Sequence, residues 1–503
     1  MRELELKFAV HEPFTIPDVA AGGAVASVTA KPSVELRATY YDTEDLRLAR
    51  EGITLRRRTG GDDAGWHLKL PLAGDHPGAR DEIARPLGGR GVPTDLRELV
   101  TAFVRTARLE PVATLRTVRD TYQLVDSGGS VVALLVDDGV SVLDGDRTIE
   151  RFRELEVEST GADVATLEAV GARLVDAGAV AGGFLPKAVR ALGSRATTPP
   201  DPPPPADVTR RSSAGEVVTA FVQTHVRALI TRDPLVRQGA PDSVHQMRVA
   251  ARRLRSGLKT FGPLVDQTWA TATRTELAWL ASSLGAARDT EVLLERFERQ
   301  LASVPDEQLR DRALAVVRAR LGEQIAAAGD QTLAALSSRR YVRLLDALVA
   351  SAIHPPLTEG AAGRADNVLP PLAAKAWSRL AKAVSRIDDG TPDDDLHRAR
   401  IIAKQARYAS EACALALGKP AKRLAVEITK VQDVLGEHQD AAVATALLAD
   451  LLRTTNARSV RDTGLSFGML YAMQLHAATA ARQSLPAVWA DVDRRRLRRW
   501  LET

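Results

Sequence analysis

Charged residues recur at every second position in several segments of the N-terminal part of the chain, which is the spacing of one face of a β-strand. The segment ELELK carries Glu3, Glu5 and Lys7 in this way, and RELEVES carries Glu154, Glu156 and Glu158. Three charges on an inward face are costly to bury unless they are paired or bound to a metal. Carboxylates are the oxygen donors that Mg²⁺ and Mn²⁺ prefer, whereas Lys and Arg neutralise phosphate oxygens. The pattern therefore predicts a site for a divalent metal and a phosphate-containing anion.

Other segments with strand periodicity also have one apolar and one charged face. Their charged positions are Arg56, Arg58, Lys69, Arg80, Glu82, Arg119 and Asp137. Many such strands, separated by Gly, Pro and Asp turns, predict an antiparallel barrel with an apolar exterior and a polar tunnel inside. In that tunnel, Arg and Lys would stabilise the charge that develops on a leaving phosphate. We assign Glu158 and Arg80 to ion pairs at the rim.

A second type of charged pattern lies in the C-terminal half. In HQMRVAARRLRSGLKTF, basic residues follow one another at intervals of 3, 4, 3 and 4, namely His245, Arg248, Arg252, Arg255 and Lys259. This spacing puts them on one face of a helix, and Met247, Ala250, Leu254, Leu258 and Phe261 occupy the opposite, core-facing side. Like charges at this distance repel one another, so the stripe is expected to bind an anion.

The stripe recurs further along the chain. In LHRARIIAKQARYASEA, the residues His397, Arg400, Lys404 and Arg407 repeat the 3, 4, 3 spacing, and His397 lies 152 positions after His245. LGAARDT, with Asp289, is echoed 151 residues later by LGEHQDA, with Asp440. Two motifs that both repeat after nearly the same number of residues indicate an internal duplication. We expect each copy to have a stripe helix, a following helix and a Leu-Gly turn, with the two stripes facing each other across a groove.

The composition favours a simple polyanion as the ligand of this groove. Nucleic-acid binding normally uses aromatic stacking, but aromatic residues make up only 4% of the chain, and Phe261 and Tyr408 are the only ones in the stripes. A membrane surface would require an apolar face open to lipid, whereas that face is expected to be buried. A solvated face with intrahelical ion pairs would be the default for one stripe. We rank it second because the stripe occurs twice and acids at i+4 are missing.

The proline-rich stretch TTPPDPPPPADVT, residues 197–209, divides the chain. We expect a β domain at 1–196, a linker at 197–212 and a helical domain at 213–503, with repeats at about 213–355 and 365–503. Ser213 and Glu216 form a predicted capping box at the start of the first helix. The single cysteine, Cys413, and the lack of a signal peptide or long apolar run predict a soluble cytoplasmic protein.

The N-terminal motifs occur in an order that resembles the CYTH family, the triphosphate tunnel metalloenzymes. ELELK, YYDT, LRRR, WHLKL, VALLVDDG, RELEVE and LPKAVRAL extend the resemblance over residues 1 to about 195. It implies an eight-stranded antiparallel tunnel with metal ligands at Glu3, Glu5, Asp137, Glu154 and Glu156. It implies phosphate contacts from Lys7, Arg56, Arg58, Lys69, Arg119 and Lys187, with Glu82 as a further acid and Arg116 as an alternative to Arg119. The expected catalytic residues are Glu5, Lys7, Arg58 and Glu156. Pro186 stands where this family often has a serine.

The C-terminal motifs resemble the CHAD domain, a duplicated helical bundle whose His, Arg and Lys residues bind inorganic polyphosphate. The similarity covers roughly residues 215 to 500, with Gln439 where an asparagine is expected. It implies that polyphosphate is bound by His245, Arg248, Arg252, Arg255, Lys259, His397, Arg400, Lys404 and Arg407.

Together these patterns predict an α+β protein, with an eight-stranded antiparallel β tunnel barrel followed by a separate all-α helical bundle built by duplication. We expect a metal-dependent hydrolase of inorganic triphosphate that uses Mg²⁺ or Mn²⁺ and also binds polyphosphate, including that of granules, but neither nucleic acid nor membrane. Thiamine-triphosphate hydrolysis and adenylate cyclase activity remain alternatives because they occur with the same tunnel residues. A non-catalytic polyphosphate receptor is a further alternative, although pure anion binding does not need so many carboxylates.

Overall fold

The computed structural model describes residues 5–11, 13–20, 25–71, 80–89, 91–182, 186–454 and 457–502. Glu3, one of the predicted metal ligands, lies outside the described residues. The chain divides into two compact units, Met1–Asp201 and Pro202–Thr503, which we call the sheet unit and the helical unit.

The sheet unit is built around one antiparallel sheet. Its strands are β1 (Glu5–Val10), β2 (Ser27–Ala30), β3 (Val34–Asp42), β4 (Thr54–Thr59), β5 (Gly65–Pro71), β6 (Arg80–Pro86), β7 (Glu110–Val125), β8 (Val131–Asp144), β9 (Arg147–Ser159) and β10 (Val180–Ala181). The order is β10-β1-β9-β8-β7-β3-β4-β5-β6, and β2 also pairs with β7. Eight of the described strands have six or more residues, as predicted, while β2 and β10 are short additions.

The register of the sheet separates charged from apolar side chains. Lys7 pairs with Glu156, and Arg119 pairs with Asp138. The alternate residues of the same strands, such as Phe8, Leu155 and Val157, form an apolar core on the other face. This core packs against Leu167, Val170 and Leu174 of a helix, α4 (Val164–Asp176). The strand periodicity therefore produces the predicted arrangement, with the apolar face covered from outside.

Four other α-helices lie among the described residues of the sheet unit. They are α1 (Arg47–Arg50), α2 (Thr94–Leu99), α3 (Thr101–Val104) and α5 (Lys187–Leu192). Pro186 precedes α5 as its N-cap residue, so Lys187 is the first helical residue and lies where the chain leaves the loop. This position brings the Lys187 side chain to the charged face of the sheet.

The helical unit contains eleven α-helices among its described residues. They are α6 (Ala214–Arg237), α7 (Ser243–Thr260), α8 (Gln267–Ser283), α9 (Gly285–Leu301), α10 (Glu307–Leu336), α11 (Arg339–Ile353), α12 (Ala365–Val384), α13 (Asp393–Leu417), α14 (Lys419–Thr454), α15 (Ala457–Val492) and α16 (Arg495–Arg498). The capping box predicted at Ser213 and Glu216 is confirmed, since each side chain accepts from the other residue's backbone N–H. None of the described helices is long and apolar enough to span a bilayer.

The two stripe helices, α7 and α13, pack against each other in antiparallel directions. Arg253 of α7 contacts Glu411 of α13, and Lys259 contacts Gln405. The apolar side of α7 is buried as predicted, with Met247, Ala250 and Leu254 each no more than 4% exposed. The duplicated halves therefore place their stripes side by side.

The Leu-Gly motif is a turn in only one half. Gly285 begins α9 after a break from α8, whereas Gly436 lies inside the continuous helix α14, so the predicted second turn is wrong. The glycine has another role in both halves. A Cβ at Gly285 would lie 3.2 Å from Nη2 of Arg248, and one at Gly436 would lie 3.4 Å from Nη2 of Arg400. Close approach of a guanidinium group explains the repeated glycine better than turn geometry does.

Candidate functional site

A cavity of about 270 Å³ lies in the sheet unit. Side chains reach it from β1, which lies next to the edge strand β10, from the opposite edge strand β6 and from α5, so the sheet curls around this space. Among the described residues, the lining includes seven Lys or Arg and five acids, namely Lys7, Arg56, Arg58, Lys69, Arg80, Arg119 and Lys187 with Glu5, Asp63, Glu82, Glu156 and Glu158. The charged interior predicted from strand alternation is therefore present.

Two groups of carboxylates in this region share Glu156. Oxygen atoms of Asp138, Glu154 and Glu156 lie within 4.8 Å of one another, and so do those of Glu5, Glu156 and Glu158. Asp138, Glu154 and Glu156 are all buried. Because every donor is a carboxylate oxygen, the set suits Mg²⁺ or Mn²⁺ and lacks the nitrogen and sulfur donors typical of zinc sites.

Three cations contact these acids directly. Lys187 Nζ lies 2.8 Å from Glu154 Oε1 and 3.3 Å from Glu156 Oε1, and it also contacts Asp138. Arg119 donates to the two carboxylate oxygens of Asp138 at 2.8 and 2.6 Å. Lys7 Nζ donates to Glu156 Oε1 at 2.6 Å and lies 3.3 Å from Glu5. The acids and the cations are thus interleaved, and a ligand bearing phosphates and a divalent cation could engage both sets.

Burial and ion pairing shift the pKa values of the neighbouring acids in opposite directions. Burial acts to raise the pKa of Glu156, but Lys187 and Lys7 outweigh it and hold that pKa well below its usual range. Burial raises the pKa of Glu154, with Glu156 adding to the shift and Lys187 opposing it. Two adjacent carboxyl groups with divergent pKa values are typical of functional sites.

A second cationic group lies on β4 and β5. Burial, followed by the charges of Arg56 and Arg119, lowers the pKa of Arg58 to about 10. Lys69 Nζ lies 2.9 Å from a Glu82 carboxylate oxygen, and Arg56 Nη2 lies 4.0 Å from the same carboxylate. The guanidinium groups of Arg56 and Arg119 repel that of Arg58, so an added anion would relieve the repulsion.

The buried imidazole of His67 connects Glu82 of β6 with the turn between β4 and β5. Its Nδ1 lies 2.8 Å from Glu82 Oε1, and its Nε2 lies 2.9 Å from the backbone oxygen of Asp63. Asp63 in turn forms an ion pair with Arg58. His67 therefore positions Glu82 and supports the turn next to Arg58. The sequence analysis missed this role, although His67 stands two residues before Lys69 and therefore on the same face of β5.

The structure does not bring one predicted metal ligand, Asp137, to the other acids. Asp137 lies on the core side of β8 and pairs with Arg153 at 2.6 and 2.9 Å, whereas Asp138 joins Glu154 and Glu156. The two aspartates are adjacent in the sequence, and strand alternation sends them to opposite faces. Only the register with β7 and β9 decides which of them faces the cavity.

The other predicted site residues that the structure describes in the sheet unit come together, apart from Arg116. Glu5, Lys7, Arg56, Arg58, Lys69, Glu82, Arg119, Glu156 and Lys187 line the cavity, and Glu154 lies beside it. Arg116 is exposed, so Arg119 is the arginine of β7 that contributes to the site. Arg80 and Glu158 line the cavity itself, although the sequence assigned them to the rim.

A second cavity, of about 420 Å³, lies in the helical unit between α7, α8 and α13. Its basic lining residues are Arg252, Arg255, Lys259, Arg274 and Lys404, and no carboxylate is among the described residues that line it. Four of these cations belong to the predicted stripes. Arg274 of α8 was missed because it stands outside both of them.

Mutual repulsion among these cations is strong. Burial lowers the pKa of Lys404 to about 7, and the charges of Arg252 and Arg400 add to this shift, while Asp440 opposes it. Burial also lowers the pKa of Lys259, as do the nearby charges of Arg379, Arg274 and Arg255. A cavity that discourages protonation of its own lysines favours the binding of an anion.

The remaining stripe residues lie outside the lining of this cavity. Arg248 donates to Asp289 at 2.6 Å, and its counterpart Arg400 lies 3.4 Å from Asp440. His397 Nδ1 lies 2.8 Å from Gln439 Oε1. Arg407 has an acid at i+4 after all, since its Nε lies 3.4 Å from Glu411. His245 is half-buried on α7.

Comparison with known families matches one family to each unit of the chain. Residues 1–182 match the CYTH domain, and residues 220–449 match the CHAD domain. The chain therefore belongs to the proteins that join a CYTH domain to a CHAD domain. Uncharacterized proteins from two strains of Mycobacterium tuberculosis are each 35% identical to it over 520 residues, covering 98% of this chain and 96% of the relative.

Solved structures resemble the chain in part. PptA from Streptomyces chartreusis is 26% identical, with a TM-score of 0.48, and the match covers 56% of this chain and all of that one. The CHAD domain from Ricinus communis is 26% identical, with a TM-score of 0.45, covering 57% of this chain and 94% of that one. A Hippeastrum protein described as having a dominant triphosphatase activity is 16% identical, with a TM-score of 0.22, and the match covers 37% of this chain and 92% of that one.

Proposed function

We propose that the sheet unit is a metal-dependent triphosphatase that hydrolyses inorganic tripolyphosphate, and that the helical unit binds polyphosphate. One observation carries the first part. A single cavity of about 270 Å³ combines seven cationic side chains with carboxylates whose oxygens approach within 4.8 Å of one another. Binding of a phosphate chain accounts for the cations, and binding of a divalent metal accounts for the grouped acids.

Asp138, Glu154 and Glu156 would hold one divalent ion, and Glu5, Glu156 and Glu158 a second one. Such an ion supplies charge neutralisation at the phosphate oxygens and lowers the pKa of bound water. The chain's own cations bind the phosphates. Lys7, Arg119 and Lys187, which now contact the acids, would turn to the phosphate oxygens and stabilise the charge on the leaving group.

The lining favours an inorganic chain over a nucleotide. Among the described lining residues, Tyr40 is the only aromatic one, and it interacts with Arg56. A nucleobase would normally need an aromatic or apolar surface on which to stack. Inorganic triphosphate needs only cations and metal, and these are abundant here. A receptor that only binds anions would not need two clusters of carboxylates with Glu156 in both.

The test is phosphate release by the purified chain from tripolyphosphate, ATP and thiamine triphosphate, with Mg²⁺ or Mn²⁺ and with chelator. We expect metal-dependent release, fastest from tripolyphosphate, and a loss of at least about 100-fold in Glu156→Gln because both metal groups lose a ligand. Glu150→Gln is the matched control, since Glu150 is an exposed acid on the same strand. Release that is equal in both variants, or unaffected by chelator, would refute the proposal.

Polyphosphate binding by the helical unit is supported by the 420 Å³ cavity with five cations and no acid among its described lining residues. Each phosphate contact made by a cation releases counterions, so affinity should fall steeply with salt. Reversing the charges of Arg252 and Lys404 should weaken polyphosphate binding and reduce the slope of log affinity against log salt by about 2. An unchanged slope would contradict binding at this cavity.

A further inference from the structure

Where α7 and α13 cross, two side-chain contacts occupy equivalent positions of the two repeats, but the residues in them carry different charges. Lys259 Nζ donates to Gln405 Oε1 at 2.8 Å, and Arg253 Nε lies 3.1 Å from Glu411 Oε2. An offset of 152 residues, the same as between His245 and His397, relates Lys259 to Glu411 and Arg253 to Gln405. The two contacts are therefore equivalent by the internal duplication.

The two contacts differ in net charge, because one pairs a cation with a neutral amide and the other pairs a cation with a carboxylate. Lys259 meets a neutral amide, so its positive charge is not compensated by that partner. Glu411 pairs with Arg253 and lies 3.4 Å from Arg407, so one carboxylate serves two guanidinium groups. We call Arg255, Lys259 and Arg274 the first lobe of the groove, and Arg253, Arg407 and Glu411 the second lobe.

A further difference reinforces the first. Arg274 of α8 adds a cation to the first lobe. At the offset of 151 residues that relates the two Leu-Gly motifs, its counterpart in α14 is Ala425, which has no charge. Arg252 and Lys404 are counterparts of each other and lie between the lobes. No carboxylate is among the described residues that line the cavity beside the three cations of the first lobe, whereas the second lobe has two cations and one acid.

We propose that the two lobes are functionally unequal: a phosphate chain is held by the first lobe and by Arg252 and Lys404, while Glu411 keeps the second lobe from binding it. This inference rests on the proposed binding of polyphosphate by the helical unit. A carboxylate at the crossing repels phosphate oxygens and occupies the guanidinium groups that would otherwise bind them. Partly exposed ion pairs such as those of Glu411 contribute little to stability, so stability gives little reason for an acid at this position.

The test compares equivalent substitutions in the two lobes of the full-length chain. All variants carry Glu156→Gln, and binding of long-chain polyphosphate is measured in chelator, so that hydrolysis does not interfere. We expect Arg255→Gln to weaken binding about tenfold, because a charge-assisted hydrogen bond to phosphate is lost. We expect Arg407→Gln, the counterpart substitution, to change the affinity less than about twofold.

Removing the acid should activate the second lobe. Glu411→Gln is expected to tighten binding several-fold, and in that background Arg407→Gln should become as costly as Arg255→Gln. Thermal unfolding of each variant checks that it is folded. If Glu411→Gln does not fold, the comparison of Arg255→Gln with Arg407→Gln still decides the matter.

The outcomes separate this inference from the function on which it rests. Equal losses in Arg255→Gln and Arg407→Gln would overturn the inequality of the lobes and leave polyphosphate binding by the groove intact. Unchanged affinity in both of these and in Arg252→Gln would overturn the proposed binding function itself, and the inequality with it.

Discussion

Two adjacent aspartates on β8 provide a sharp test of the site in the sheet unit, because the structure gives them different environments. Asp138 has no exposed side-chain surface, accepts two hydrogen bonds from Arg119 and contacts Lys187. Asp137 lies on the other face and pairs with Arg153, whose side chain is 24% exposed. Asp138→Asn and Asp137→Asn make the same chemical change one residue apart.

The expected effects follow from burial. Breaking a buried ion pair typically costs about 3–5 kcal/mol, and because asparagine keeps one acceptor oxygen we expect about 3 kcal/mol for Asp138→Asn. Loss of the charge also releases Arg119 and Lys187, so kcat/KM should fall about 10- to 100-fold, equivalent to one strong charge-assisted hydrogen bond. Asp137 is also buried, but it faces away from the cavity and pairs with the partly exposed Arg153, so Asp137→Asn should cost less stability than Asp138→Asn and leave activity within about twofold.

The assay is metal-dependent phosphate release from tripolyphosphate, accompanied by denaturant unfolding of each variant. A loss of activity in Asp137→Asn equal to that in Asp138→Asn would refute the assignment of faces on β8. Retention of full activity in Asp138→Asn would show that this carboxylate does not hold the metal or the cations that surround it.

Two more predictions concern single side chains. Because the pKa of Lys404 is about 7, polyphosphate affinity should fall as pH rises through that value, by up to about tenfold per unit. Lys404→Arg should flatten the pH profile of the binding constant, and a profile that persists unchanged would contradict this role of Lys404. His67→Asn removes the buried support of Glu82, so KM for tripolyphosphate should rise about threefold to tenfold with kcat nearly unchanged. A fall in kcat at constant KM would contradict this positioning role.

Periodicity was sufficient to predict the architecture. Side chains alternate along a strand whatever its partner, so ELELK and RELEVES indicated a charged face, and the structure confirms it for the described residues from Glu5 onward. The spacing of 3 and 4 likewise predicted the stripe helices. These features are local, because they depend only on the repeat of the backbone.

Some parts of the sites needed contacts between distant segments. Arg274 enters the groove from α8, and His67 reaches Glu82 across two paired strands. Strand alternation puts His67 on the same face as Lys69, but only the contact with Glu82 shows its role, and Arg274 stands outside both stripes. The replacement of Lys259 by Glu411 was readable at the 152-residue offset, but its meaning depends on the crossing of α7 and α13.

The sequence by itself determined that the chain has a charged β unit and a duplicated basic helical unit, because alternation, helical spacing and internal repetition are properties of the chain alone. Only the tertiary structure decided that Asp138 rather than Asp137 joins the acids, and that a carboxylate offsets part of the positive charge in one lobe of the groove. Strand register and helix crossing set these outcomes, and both depend on the packing of segments far apart in the sequence.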